Sequence, residues 1–152
     1  MASAREWRPR TVVWCSSGAG LKAARGLRRH IIRRFPVAGE RRLRASGEFR
    51  LVYARGRRYD SHSFTAFIYP SVTSEHRLGV TASSKAVGCA VDRNRAKRLL
   101  REMFRLSDDQ LEELKLKYDW VLNAKRSLLV SSAEKRFAEF RKIIQQIAKT
   151  DP

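Results

Sequence analysis

The stretch Arg93-Asn94-Arg95-Ala96-Lys97-Arg98-Leu99-Leu100-Arg101-Glu102, RNRAKRLLRE, decides the fold class of this 152-residue chain. Five of its ten residues are Lys or Arg. Residues 87–106 contain no proline, and the pattern predicts one long helix there, its first turn irregular at Gly88. At about 100° per residue, with Arg93 set to zero, Lys97, Arg101 and Arg105 fall within about 120°, and Asn94 and Arg98 lie beside them. Ala96, Leu99, Leu100, Met103 and Leu106 take the opposite arc. Arg95 points off the main basic stripe, near its border with the apolar arc. Such a helix docks on a core by one face and presents fixed cations on the other.

A solvated helix face usually mixes signs, which gains i,i+4 pairing and limits self-repulsion. This one carries six cations from Arg93 to Arg105 against Glu102 alone. Five of the six are Arg, whose planar fork grips phosphate in two places and stacks on bases. A polyanion offsets the like-charge cost. Nucleic acid ranks above a membrane surface, because the apolar arc is needed by a sheet and is not free to enter a bilayer.

Elements on either side support that docking. Ser46 is placed to cap a helix with Phe49, Val52 and Tyr53 at i, i+3 and i+4, ended by Gly56. Phe64–Tyr69 reads as a strand stopped by Pro70, with Thr65, Phe67 and Tyr69 on one face and Phe64, Ala66 and Ile68 on the other. Residues 77–83 alternate, with Leu78, Val80 and Ala82 facing one side. Downstream of the basic helix, Ser107 is placed to cap a helix over 108–116. Tyr118–Ala124 is the last strong strand. A capping-box pattern at Ser131–Glu134 opens a final helix with a Phe137, Phe140, Ile144 and Ile147 stripe. The order predicts an α+β sandwich with helices packed on a small sheet.

The net charge of +18, from 33 Lys plus Arg against 15 acids, again favours a polyanionic partner. Residues 1–44 hold 12 of the cations and only 2 acids, and they lack a sustained apolar period. Residues 1–40 are expected to be a basic, disordered extension, with a short helix possible over 21–35, and residues 41–150 the folded domain. Cys15 and Cys89 match no metal or redox spacing and read as thiols of a reducing cytosol. No stretch approaches the ~20 apolar residues of a membrane span. A cytoplasmic protein is expected; the Arg-rich, acid-poor start leaves organelle import as the alternative.

Nothing in the sequence spells out a protein catalyst. His30, His62 and His76 are scattered. The densest acidic group, Asp108, Asp109, Glu112 and Glu113, sits at the start of a short helix, where acids favour the helix dipole and read as structural. No phosphate loop or nucleophile triad is present.

Four segments together resemble the protein subunit of bacterial ribonuclease P. They are RNRAKRLLREMFR at 93–105 after a Gly-x-Ala-Val turn, RLGVTASSKAVGCAVD at 77–92, SGEFRLVYARGRR at 46–58 and, more weakly, YDWVLNAK at 118–125. The resemblance spans about residues 41–148. It implies a small, mostly antiparallel sheet packed with helices, with a left-handed β-α-β crossover, a handedness that general rules disfavour. It implies an RNA-binding subunit that assists a catalytic RNA in removing the 5′ leader of precursor tRNA, with Mg²⁺ held mainly by RNA phosphates and no protein partner. Arg93, Asn94, Arg95, Lys97, Arg98 and Arg101 match the family's RNA-binding helix. Lys85 matches a basic residue in the loop before it. Phe49, Tyr53 and Phe67 match the aromatics of a leader cleft; from the residues alone they read as core. The chain departs from the family pattern at Ser84, where a second Lys is common, at Ala86-Val87, which is one residue longer, and at Asn123-Ala124-Lys125, where Ala-Arg is frequent. The other reading is a structural, ribosomal-type RNA-binding protein with no leader site.

Overall fold

The computed structural model describes residues 41–150. The expected N-terminal extension, with its helix over 21–35, His30 and Cys15, lies outside them. Ten elements follow in order: α1 (Ser46–Arg55), β1 (Arg57–Asp60), β2 (Phe64–Pro70), β3 (Arg77–Thr81), α2 (Ser84–Val87), α3 (Ala90–Leu106), α4 (Asp108–Glu112), β4 (Tyr118–Ala124), α5 (Ser127–Val130) and α6 (Ala133–Thr150). The sheet order is β1-β2-β4-β3. β1 and β4 pair antiparallel with β2, while β3 and β4 run parallel, joined by the α2–α4 crossover. This is the expected α+β class.

β4 is central, and its Tyr118–Leu122 segment is buried on both faces, which explains its near-continuous apolar sequence. Alternation sends Tyr118, Trp120, Leu122 and Ala124 to the larger core with Phe64, Ala66, Ile68 and Leu78. There the rings of Trp120, Phe104 and Phe140 meet with centroids 5.5–6.2 Å apart. α3 and α6 cover this face through Ala96, Leu100, Met103 and Phe104, and through Phe140, Ile143, Ile144 and Ile147. The other face is thinner. Val121 packs with Val52 of α1 and with Leu43, and Phe49, Phe67 and Tyr69 border them.

Several boundaries differ from expectation. Order within the described residues starts before Ser46: the Leu43 amide donates to the Leu78 carbonyl at 3.1 Å, a bridge that covers the outer edge of β3. Arg41 grips Asp108, one of the α4 acids, through two bonds of 2.6 and 3.0 Å. Ser46 is inside α1 rather than its cap. The Glu48 carboxylate instead accepts from the Arg44 and Ala45 amides, both at 3.1 Å. Gly56 ends the helix in extended backbone, and the position needs glycine because a Cβ there would run into the Val52 carbonyl and lie 3.1 Å from that of Ile68.

β1 has no signal in the sequence: RRYD carries one apolar residue and is held by backbone pairing to β2. Likewise, α5 is a single turn too short to show a period. The long helix is broken, since Gly88 adopts φ +109°, which an L side chain disfavours, and α3 starts only at Ala90. α4 stops at Glu112, and Ser107 caps it with no side-chain bond. At α6, Ser132 caps the Lys135 amide at 3.3 Å.

His76 is buried and ties three elements together. Its Nδ1 accepts from the Tyr118 amide (3.1 Å) and Trp120 Nε1 (3.4 Å), so Nε2 carries the proton and donates to the Leu111 carbonyl at 2.8 Å. Burial lowers its pKa from the ordinary value. The unfolded chain therefore takes up a proton near pH ~6.5 that the folded chain refuses until lower pH, so stability is full above that value and lost as pH falls below it. Urea midpoints are expected to drop from pH 7 to pH 5, and a His76→Gln variant is expected to lose that part of the slope.

Candidate nucleic-acid interface

α1 lays its aromatic side over the thin face of the sheet. The Phe49 ring sits so close to Gly79 that a Cβ there would lie 2.6 Å from it; only glycine leaves the ring room. One helical turn on, Tyr53 is 39% exposed and stands edge-on to Phe67, with centroids 4.9 Å apart and an interplanar angle of 76°. The Arg58 guanidinium lies 6.0 Å from the centre of the Phe67 ring. Phe67 is thus the half-buried floor under Tyr53 and not an open platform.

The other wall comes from α3. A cleft of about 560 Å³ is lined by Tyr53 of α1, Thr65 of β2, Thr81 of β3, Asn123 of β4, and the cations Lys97 and Lys125. A smaller groove of about 190 Å³ continues past Val80, between Phe49 and Arg101, with Arg42 and Arg44 at its side. Each α1 aromatic therefore shares a depression with one α3 cation: Tyr53 with Lys97, and Phe49 with Arg101.

This changes the reading of the basic helix. The core takes Ala96, Leu100, Met103 and Phe104, while Leu106 is 53% exposed. The docked arc is rotated toward Arg93 and away from Leu106, so the cations divide. Arg93, Lys97 and Arg101 are half-buried along the sheet-side flank. Asn94, Arg95 and Arg98 are exposed on the outward face. Arg105 spends its fork on Glu102, at 2.5 and 3.1 Å. Arg95 does diverge from the stripe: after burial, its charge is the second cause that lowers the pKa of Arg136 on α6. Burial and then the charges of Arg42 and Arg98 lower the pKa of Arg101. Such crowding of cations is relieved by a bound anion.

Lys85 is exposed on α2, a short helix where a loop was expected, and it does not line the cleft; its neighbours Ser83 and Ala86 do. Sequence reasoning missed a set of polar residues on the cleft floor. Asn123 Oδ1 accepts from the Tyr53 hydroxyl at 2.7 Å and from the Thr81 hydroxyl, which fixes the tilt of the Tyr53 ring. Asp60 gathers Thr65 (2.9 Å), Arg58 (2.8 Å) and Lys125. These bonds, with Lys125 first, hold the Asp60 carboxyl well below the usual carboxylate range. The Thr65–Asn123 and Thr81–Asn123 registers bring these groups together from three strands.

Among the described residues, no group of three or more His, Cys, Asp or Glu is placed to hold a metal ion. No described helix is long and apolar enough to cross a membrane.

The family model for ribonuclease P matches residues 37–148. The ribonuclease P protein component of Clostridium kluyveri is 34% identical over 108 residues, covering 71% of this chain and 91% of that one. That of Desulfovibrio desulfuricans is 42% identical over 97 residues, covering 62% of this chain and 72% of its own. Among solved structures, the RNase P protein of Staphylococcus aureus superposes with a TM-score of 0.58 at 24% identity, over 72% of this chain and 95% of that one. The Thermotoga maritima RNase P protein gives 0.53 at 24% identity, over 73% and 97%. The matched span contains α1, the sheet, the cationic α3 and nearly all of α6, so the chain belongs to the ribonuclease P protein component family, whose members partner an RNA subunit in a tRNA-processing ribonucleoprotein.

Proposed function

We propose that the cleft between α1 and α3 holds the single-stranded 5′ leader of precursor tRNA, while the outward face of α3 binds the catalytic RNA subunit. The observation that carries this is the pairing of Tyr53 with Lys97, and of Phe49 with Arg101, in two adjoining depressions. A single strand offers a stackable base and a phosphate at every nucleotide, and an aromatic beside a cation receives both without reading sequence. Asn94, Arg95 and Arg98, exposed and turned from the cleft, are left for the RNA subunit; Arg93 supports them at the helix flank. Lys85 extends the cationic surface at the helix start.

In this reading the protein positions and does not cut. Its cations offset the phosphate repulsion between the two RNAs, the RNA subunit carries the catalytic centre, and Mg²⁺ is held mainly by RNA phosphates. A cytoplasmic setting belongs to the same proposal.

The test is reconstitution with the catalytic RNA and precursor tRNA at low Mg²⁺. Phe49→Ala with Tyr53→Ala is expected to weaken leader-bearing substrate by about 10-fold or more, since stacking on one aromatic is worth roughly 1–3 kcal/mol. Affinity for mature tRNA should hold. Equal loss on both substrates would support instead a structural RNA-binding protein without a leader site. Cleavage unchanged by adding the protein would sink the proposal.

A further inference from the structure

At the β1 edge of the sheet, a second pocket of about 280 Å³ opens between the β1–β2 pair and α6. It shares no lining residue with the cleft. The β1–β2 register sets Arg57 opposite Ile68 and Tyr59 opposite Ala66, which turns both toward the face opposite Arg58 and Asp60. Tyr59 and Tyr118 bring two aromatic side chains from the larger-core face to the pocket, Ile68 and Ile147 of α6 are among its apolar walls, and Tyr69, whose ring turns to the other face, borders it along β2. Arg55 and Arg57 complete the lining; both are exposed, and neither appears in an ion pair among the described residues. Leu116, beside them, leaves 49% of its surface exposed.

The chemistry of this lining is specific. Tyrosines around an apolar floor receive a flat ring, and two free guanidinium forks beside it receive anions. The volume lies just below the usual range of ligand pockets, roughly 300 to 1,000 Å³, and suits one base with its sugar rather than an extended segment. A chain of net charge +18 meets polyanions first, and an acidic phosphate chain complements the Arg55–Arg57 rim where a second copy of this basic chain would not.

We propose that this pocket takes one unstacked base of an RNA strand, with its flanking phosphates on Arg55 and Arg57, as an RNA contact separate from the leader cleft. It stands on the β1 side of the sheet, so it engages a different part of the RNA from the one held at α3.

The test uses the full chain reconstituted with the catalytic RNA. Arg57→Ala with Tyr59→Ala is expected to weaken assembly about 10-fold and to make the salt dependence shallower by roughly one unit, the share of one phosphate contact. Tyr59→Phe keeps the ring and should bind as the parent chain does. Should Tyr59→Ala lower the melting temperature, Arg55→Ala with Arg57→Ala, both on the surface, is expected to make the salt dependence shallower by roughly two units, one for each phosphate contact. Unchanged affinity and slope in that pair would overturn the proposal. So would the pair abolishing a concentration-dependent self-association in sedimentation while leaving RNA binding intact, which would make the pocket an interface between copies. The ratio of precursor to mature tRNA affinity reports on the cleft alone and should not move, so failure here is distinguishable from failure of the leader reading.

Discussion

Replacing Arg77 with alanine is expected to destabilise the fold by about 3–5 kcal/mol, because it strands a buried carboxylate without its partner. Asp119 is 4% exposed in the central strand. Arg77 meets it with a two-pronged contact, Nε to Oδ1 at 2.8 Å and Nη2 to Oδ2 at 2.6 Å, and Ser71 adds a third bond at 2.8 Å. The remaining prong, Nη1, reaches Glu48 Oε1 at 2.7 Å. Burial raises the Glu48 pKa, but the Ala45 and Arg44 amides and Arg77 together pull it below its ordinary value. The Asp119 bonds raise that of Arg77 in turn. One side chain thus ties the start of α1 to the sheet, and α1 carries the cleft aromatics. Arg77→Lys, a point charge, should recover little. Arg77→Met with Asp119→Leu should recover most of the stability, since removing both charges leaves nothing unpaired. Urea unfolding of the three variants measures this, and an Arg77→Ala loss under 1 kcal/mol would contradict the role given to the pair.

Arg95→Ala with Arg98→Ala is expected to weaken assembly with the catalytic RNA by about 100-fold or more, since each charged hydrogen bond is worth roughly 1.5–3 kcal/mol. Arg101 is half-buried beside Phe49 and Arg42 and serves the cleft, whereas Arg95 and Arg98 are exposed on the outward face. Neither supports the core, so circular dichroism should hold. The slope of log affinity against log salt should fall by roughly 2, one for each phosphate contact removed. Changes on the two sides of the helix are expected to differ in kind. Arg98→Ala alone should lower RNA-subunit affinity without touching the precursor-to-mature ratio, while Arg101→Ala should reduce that ratio. Parent-like affinity in the double variant would show that α3 is not the assembly surface.

The sequence carried a great deal. A run of six cations and one acid on a proline-free segment required a helix with an apolar back, and α3 has one. Tyr118–Ala124 was legible as a near-continuous apolar run, and the Phe140–Ile147 stripe because burial repeats along it. Short elements were not. β1 is four residues stabilised by pairing with β2, and α5 a single turn, so neither repeats enough to leave a pattern.

By itself the sequence determined the α+β class, pointed to a polyanionic partner and, through the resemblance, nominated the aromatic and cationic residues of the candidate site. Tertiary structure alone decided how they combine. Helical angles could not say which of Phe104 or Leu106 reaches the core, because that depends on where the sheet lies; with Phe104 inside, α3 turns Lys97 and Arg101 to the cleft and leaves Arg95 and Arg98 outside. Nor could spacing place Asn123 under Tyr53, 70 residues away, since that contact is set by strand register and not by the chain between them.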